Sequence, residues 1–273
     1  KCHIYTVLQI LHHYIRQRRN DMIEVILRCT SEEDCLKLVS VRVEDSAGDK
    51  EPGDDNALHT AIKCHNTKVV TLILMLTKED DRLSLLKYQS LQPDSLTIIQ
   101  HACRYGYKDI VEVIFHALNG DQWVELLSEA SDDDSRTALQ VAIEFGETEI
   151  VQFIKNSLDE HLWHEQLTIE TGFGETALYV AAVEMRLEII KLILESTTSE
   201  LWYELLQFAG GSQGNTPLHI IVDWNDTDIL NMVKVPLTDE QWFDLLIRGD
   251  CEAHATPLHY AAECGLSDTI QFV

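Results

Sequence analysis

The side chains with the most evident chemistry lie near the C-terminal end of the sequence. Cys251-x-x-His254, followed by His259 and Cys264, offers two thiols and two imidazoles, ligand types that suit tetrahedral zinc. Their spacings fit no standard finger. Asp132-Asp133-Asp134 offers three adjacent carboxylates for Ca2+, but no EF-hand loop surrounds them, so they read as turn residues. His59, His219 and His259 are candidate bases, yet no Ser or Cys nucleophile stands with them in a recognisable motif. Neither G-x-x-x-x-G-K-[ST] nor G-x-G-x-x-G is present to cradle a phosphate. Trp123, Trp163, Trp202 and Trp242 carry flat rings on which a ligand could stack. None of these groups completes an active site, so no catalytic, cofactor-binding or metal-binding residue is assigned and no enzyme activity is expected of this chain.

What these residues share is a period. A segment of form T-x-L-x-x-A-x-x-x-G-x-x-[DE]-I-[VI]-x-x-[IL]-[LIF] recurs. Its clearest copies start at Thr137, Thr176, Thr216 and Thr256, weaker ones at Asn56 and Thr97, and a degenerate one at Gln9. Start-to-start spacings of 47, 41, 40, 39, 40 and 40 residues are those of a tandem array. Each copy predicts two helices. In the last, Leu258, Ala261 and Ala262 form an apolar stripe, Gly265 ends the helix, and Ser267-Asp268 opens a second. Ile150, Val151 and Ile154, or Ile189, Ile190, Ile193 and Leu194, supply the apolar face of that second helix. Acidic residues near its start, such as Asp109, Glu149 and Asp268, suit the helix dipole rather than catalysis.

The copies with TPLH (216–219 and 256–259), paired small residues, Gly and an acidic-Ile-Val run resemble the ankyrin repeat, and the resemblance covers nearly the whole chain. It implies an all-α solenoid of paired antiparallel helices, with the motif His hydrogen-bonded to neighbouring turns and a concave face that binds other proteins. A typical ankyrin repeat has about 33 residues, whereas these copies have about 40. The excess carries its own pattern, Trp then Leu-Leu, fourteen residues before most motif starts, as in Gln241-Trp-Phe-Asp-Leu-Leu246. Thr238 and Gln241 have capping-box form, which predicts a short third helix with Trp242, Leu245 and Leu246 on one face. The recurrence of Trp at the repeat period favours a buried ladder over a ligand platform. From the period alone, a three-helix solenoid of HEAT or armadillo type is the alternative.

Composition bounds the partners. With 21 Lys plus Arg against 46 Asp plus Glu, the 273-residue chain has a formal charge of −25, which disfavours nucleic acid and anionic lipid. Its 45% hydrophobic content excludes global disorder. Seven cysteines, irregularly spaced and without CxxC, suit reduced thiols in an intracellular, cytoplasmic setting. No apolar run approaches a membrane span. The chain begins with Lys1 and stops inside a helical pattern, so it reads as one solenoid, residues 1–273, cut from a longer protein. Ile270, Phe272 and Val273 would then face solvent.

Partner choice should reside where copies differ. The resemblance places the concave face at the two residues after the paired small ones. The first reads Arg16, Lys63, Arg104, Glu144, Val183, Asp223 and Glu263; the second reads Gln17, Cys64, Tyr105, Phe145, Glu184, Trp224 and Cys264. The fifth motif position adds His13, His101 and Tyr260. Exposed aromatics are frequent interface anchors. Residues 1–40 carry a net +1 and residues 201–273 a net −9, so the expected groove is basic, then aromatic, then acidic. The loop Glu44 to Asp55, with six acids and one Lys, reads as a solvated insertion. A monomeric, non-catalytic protein–protein interaction module without cofactors follows. Its alternatives are the cytosolic domain of a membrane channel or receptor, and the substrate-recruiting arm of a kinase or ubiquitin ligase.

Overall fold

The structure, a computed structural model, describes residues 2–30, 56–89, 95–131, 135–250 and 254–272. The loop 44–55, the carboxylate run 132–134 and position 251 lie outside them, as do the side chains of 268 and 271–273. All described elements are helices. Isolated antiparallel bridges, Gln89 to Thr97 and Gly210 to Asn215, pinch two of the turns ahead of the motif.

The first helices are α1 (Cys2–Arg16), which begins ahead of its motif start, and, each beginning just after its own, α3 (Ala57–Lys63), α6 (Ile98–Arg104), α9 (Ala138–Glu144), α12 (Ala177–Val183), α15 (Pro217–Asp223) and α18 (Pro257–Glu263). All but α1 have seven residues, two turns, which is too short to hold in water alone. Burial on all sides holds them: Ala57 to Ile62, Ile98 to Cys103, Ala138 to Ile143 and Ala177 to Ala182 are unbroken buried runs. The stripe expected in α18 is only partly closed. Ala261 is buried, but Leu258 is 38% exposed and Ala262 is exposed, because α15 shelters one flank.

Second helices are α2 (Asn20–Cys29), α4 (Thr67–Leu76), α7 (Lys108–Ala117), α10 (Thr148–Asn156), α13 (Leu187–Glu195), α16 (Thr227–Lys234) and α19 (Ser267–Phe272). Their buried sets, such as Ile110, Val111 and Ile114, or Ile189, Ile190 and Ile193, match the predicted faces. The third helices also exist: α5 (Glu79–Leu86), α8 (Gly120–Leu127), α11 (Glu160–Thr168), α14 (Ser199–Gln207) and α17 (Asp239–Ile247). Thr238 and Gln241 form the expected capping box, with Thr238 N donating to Gln241 Oε1 at 2.9 Å, and Asn119 with Gln122 forms another. Trp242, Leu245 and Leu246 are buried together.

The chain divides into two compact units, residues 1–133 and 134–273. In the first, α1, α3 and α6 pack in succession, as do α2, α4 and α7. Lys87 bridges from the end of α5 to Glu125 and Glu129, both at 2.7 Å. In the second, α9, α12, α15 and α18 pack in succession, and α11, α14 and α17 line up beside them. Among the described residues, no helix is long and apolar enough to cross a membrane.

Candidate binding face

In three copies the fourth motif residue clasps its copy to the next. Thr97 N donates to Gln100 Oε1 at 2.8 Å, and Gln100 Nε2 donates onward to Glu129 O at 3.1 Å. Gln140 repeats this, receiving from Thr137 N and donating to Ile169 O and Glu175 O at 2.7 and 3.1 Å. His219 does the same with a ring: Nδ1 receives from Thr216 N at 3.1 Å, which leaves Nε2–H to donate to Ala255 O at 3.0 Å. Burial pushes the His219 imidazole below its usual pKa, keeping it in the neutral form this clasp requires. At Thr176 the partner is Tyr179, and no side-chain cap forms. The Thr176 hydroxyl is buried without a hydrogen-bond partner. The Tyr179 ring instead reaches Gly211, where an added Cβ would come within 2.5 Å of its hydroxyl oxygen. Gln100, Gln140 and His219 thus have structural work.

A second constraint fixes the end of each first helix. The tenth motif position has positive φ in all seven copies: Arg18, His65, Gly106, Gly146, Met185, Asn225 and Gly265, between +48° and +76°. The left-handed residue reverses the chain there. In consequence the residues at the two positions after the paired small ones fall at equivalent places in their own copies. Arg16, Lys63, Arg104, Glu144, Val183, Asp223 and Glu263 are the last residues of their helices, and Cys64, Tyr105, Phe145, Glu184, Trp224 and Cys264 are the C-caps.

Their exposure differs. Arg16, Lys63, Asp223 and Glu263 are exposed, as are Tyr105 (47%), Phe145 (39%) and Val183 (47%), whereas Arg104, Glu144 and Trp224 are half-buried. The fifth position needs correction. His101 is 3% exposed, like Val141 and Val180, because this position points between adjacent first helices. Tyr260 is half-buried, and its hydroxyl lies within donating distance of Asn215 Oδ1 at 2.9 Å and Asp250 Oδ2 at 3.2 Å. His13 is exposed.

In the first unit, aromatic rings line up around Tyr105. Tyr107 lies 5.7 Å from it, and His65 stacks on Tyr107 at 4.0 Å with parallel planes. His65 Nε2 meets Asp109 Oδ1 at 3.0 Å, and Thr67 also donates to Asp109. Burial pushes the Asp109 carboxyl up, but these hydrogen bonds outweigh it and hold the group below the usual range. In the second unit, Arg136 pairs with Glu144 at 2.5 Å and approaches Glu175 at 3.8 Å. Arg186 donates twice to Glu144 O, at 2.5 and 3.2 Å. Sequence reasoning did not single out Arg136 and Arg186 as holding residues. A lone base in an acidic stretch, one copy from a glutamate, was the available signal.

The tryptophans form no platform. Trp123, Trp163, Trp202 and Trp242 are at most 4% exposed. Trp163 Nε1 donates to Ser196 Oγ and Trp202 Nε1 to Val233 O, each at 3.0 Å, joining a third helix to the second helix of the following copy. A cleft of about 390 Å³ beside Trp163 contains Ser196, Thr197 and Thr198, whose hydroxyls are engaged by Trp163 or backbone. Among the described residues, no three His, Cys, Asp or Glu side chains converge as metal ligands, and Cys251 of the zinc candidate lies outside them.

Comparison with known proteins bears on the fold. Residues 114–204 match the family model for ankyrin repeats in three copies. The whole chain is similar to the crystal structure of the ankyrin repeat domain of Bcl-3, described as a unique member of the IkappaB protein family. The TM-score is 0.67 at 16% identity, over 96% of this chain and 97% of that one. At that identity the likeness is one of fold. No curated protein matches the sequence.

Proposed function

We propose that this chain is an ankyrin-repeat protein that acts as a non-catalytic protein-binding module, its partner contacting the ends of the first helices. Repeats of this family are generally protein-interaction modules. One observation carries the assignment to this face. The clasp, the left-handed turn and the buried Trp recur from copy to copy, while the helix-end residues between them change in charge and size. A position held rigidly but not chosen by packing is free to be chosen by a partner. Rigid display also limits the ordering entropy lost on binding. The reading takes all seven copies as one array and includes Arg16, Lys63, Arg104, Tyr105, Glu144, Phe145, Asp223, Trp224, Tyr260 and Glu263 as contact residues. It places the chain in a reducing compartment, where Cys29, Cys64 and Cys264 remain thiols.

The test is affinity capture with the purified chain, comparing wild type with Tyr105→Ala, Phe145→Ala, Trp224→Ala combined, after circular dichroism shows equal helix content. Truncating interface anchors commonly costs more than about 1–2 kcal/mol each, so true partners should be lost from the variant. Partners retained equally by both proteins would remove the binding role from this face.

A further inference from the structure

We propose that the first-helix face of the second unit takes a basic segment of a partner protein, with apolar side chains set beside its cations. The proposal rests on the reading above and adds the chemistry of the partner.

Charge bookkeeping within residues 134–273 supports it. This unit has 24 Asp plus Glu against six Lys plus Arg, a net −18. Most of its bases are engaged at home. Arg136 lies on Glu144, Arg186 on Glu144 O and Glu184, Lys191 on Glu188, and Arg248 on Asp244. Lys234 sits 5.5 Å over the Trp242 ring. The acid excess is therefore left for a partner to meet.

On the face itself the two chemistries separate. Glu144 is already paired with Arg136, so the open groups at that end are apolar, Phe145 and Val183. At the other end Asp223 and Glu263 are exposed carboxylates that end successive first helices, and the half-buried Trp224 follows Asp223 in the chain. Burial pushes the Asp223 carboxyl up, and its Cys264 and His219 neighbours do not offset the loss of water. An arriving ammonium or guanidinium would. Helices in contact lie about 8–10 Å apart, so four of them span roughly 25–30 Å, about eight residues of extended chain. The partner segment would lay its apolar residues on Phe145 and Val183, its cations on Asp223 and Glu263, and an aliphatic stem against Trp224.

The test uses the full chain and three fluorescent twelve-residue peptides with the same two Leu and one Trp. One carries four Lys or Arg, one four Glu and one four Ser. Anisotropy titration at physiological salt should give saturable binding for the basic peptide alone. Asp223→Asn with Glu263→Gln should weaken it about tenfold, the loss of two close charge contacts partly exposed to water. Phe145→Ser should weaken it as well, while Glu200→Gln with Glu240→Gln, on exposed third-helix starts, should change it less than about twofold. Equal weakening by the two double substitutions would mean diffuse attraction to an acidic surface and would overturn the proposal, as would absence of binding. A neutral or acidic peptide whose binding falls with Phe145→Ser would overturn the partner chemistry but keep the face. Binding indifferent to every face variant would sink both. The peptide charge series leaves the protein unaltered, so it remains decisive if a variant fails to fold.

Discussion

At the tenth motif position, Arg18, His65, Met185 and Asn225 hold a left-handed backbone that glycine holds in the other copies. For a residue with Cβ this costs about 1–2 kcal/mol, partly offset by its smaller unfolded-state entropy. Met185 is 64% exposed, so its side chain contributes little burial. Met185→Gly should therefore stabilise the protein by about 0.5–1 kcal/mol, and Gly146→Ala should destabilise it by about 1–2 kcal/mol, both read from urea midpoints. Sequence showed the glycine copies and hid the others, because a conformation imposed by closure of a turn leaves no trace in an Arg or Met. His219 gives a pH test. Its folded-state pKa is lowered, so below the unfolded value the denatured chain takes up protons that the clasp refuses, and stability falls with pH from about 6.5 downward. Gln100 and Gln140 show that glutamine makes the same clasp. His219→Gln should match wild type at pH 7 and lose less stability at pH 5, measured by urea unfolding at both values.

At the scale of the element, the pattern of period, helix pairs and third helix was legible from residue spacing. Trp, Leu and Leu at i, i+3 and i+4 had no alternative use on a short amphipathic helix, and the capping pair Thr238 and Gln241 marked its start. What spacing could not convey was orientation at the fifth position. A His and a Tyr there look alike as polar aromatics, but His101 is enclosed between neighbouring helices while Tyr260 is only half-buried. The third helix also makes an energetic prediction. Trp202 is fully buried with its indole N–H on Val233 O, so Trp202→Ala should cost about 3–5 kcal/mol. Trp202→Phe should cost less but leave that carbonyl without its donor, and thermal unfolding would rank the two.

At the scale of the molecule, a charge of −25 in 273 residues implies repulsion that counter-ions should relieve. Raising NaCl from about 20 to 200 mM shortens the Debye length severalfold and should raise the unfolding temperature. A fall on adding salt would mean that surface ion pairs such as Lys87 with Glu125 and Glu129 outweigh the repulsion. The array might be taken for interchangeable beads, yet Tyr179 and Gly211 say otherwise. The ring of one copy occupies space that only the absence of a side chain in the next provides, where Gln140 needs instead a carbonyl within reach. The joint at Tyr179 is thus keyed differently from those closed by Gln100, Gln140 and His219. Shuffling the order of copies would set the Tyr179 hydroxyl against a side chain and strand a polar clasp elsewhere. The sequential order of the copies is written into the joints themselves, quite apart from anything the array binds.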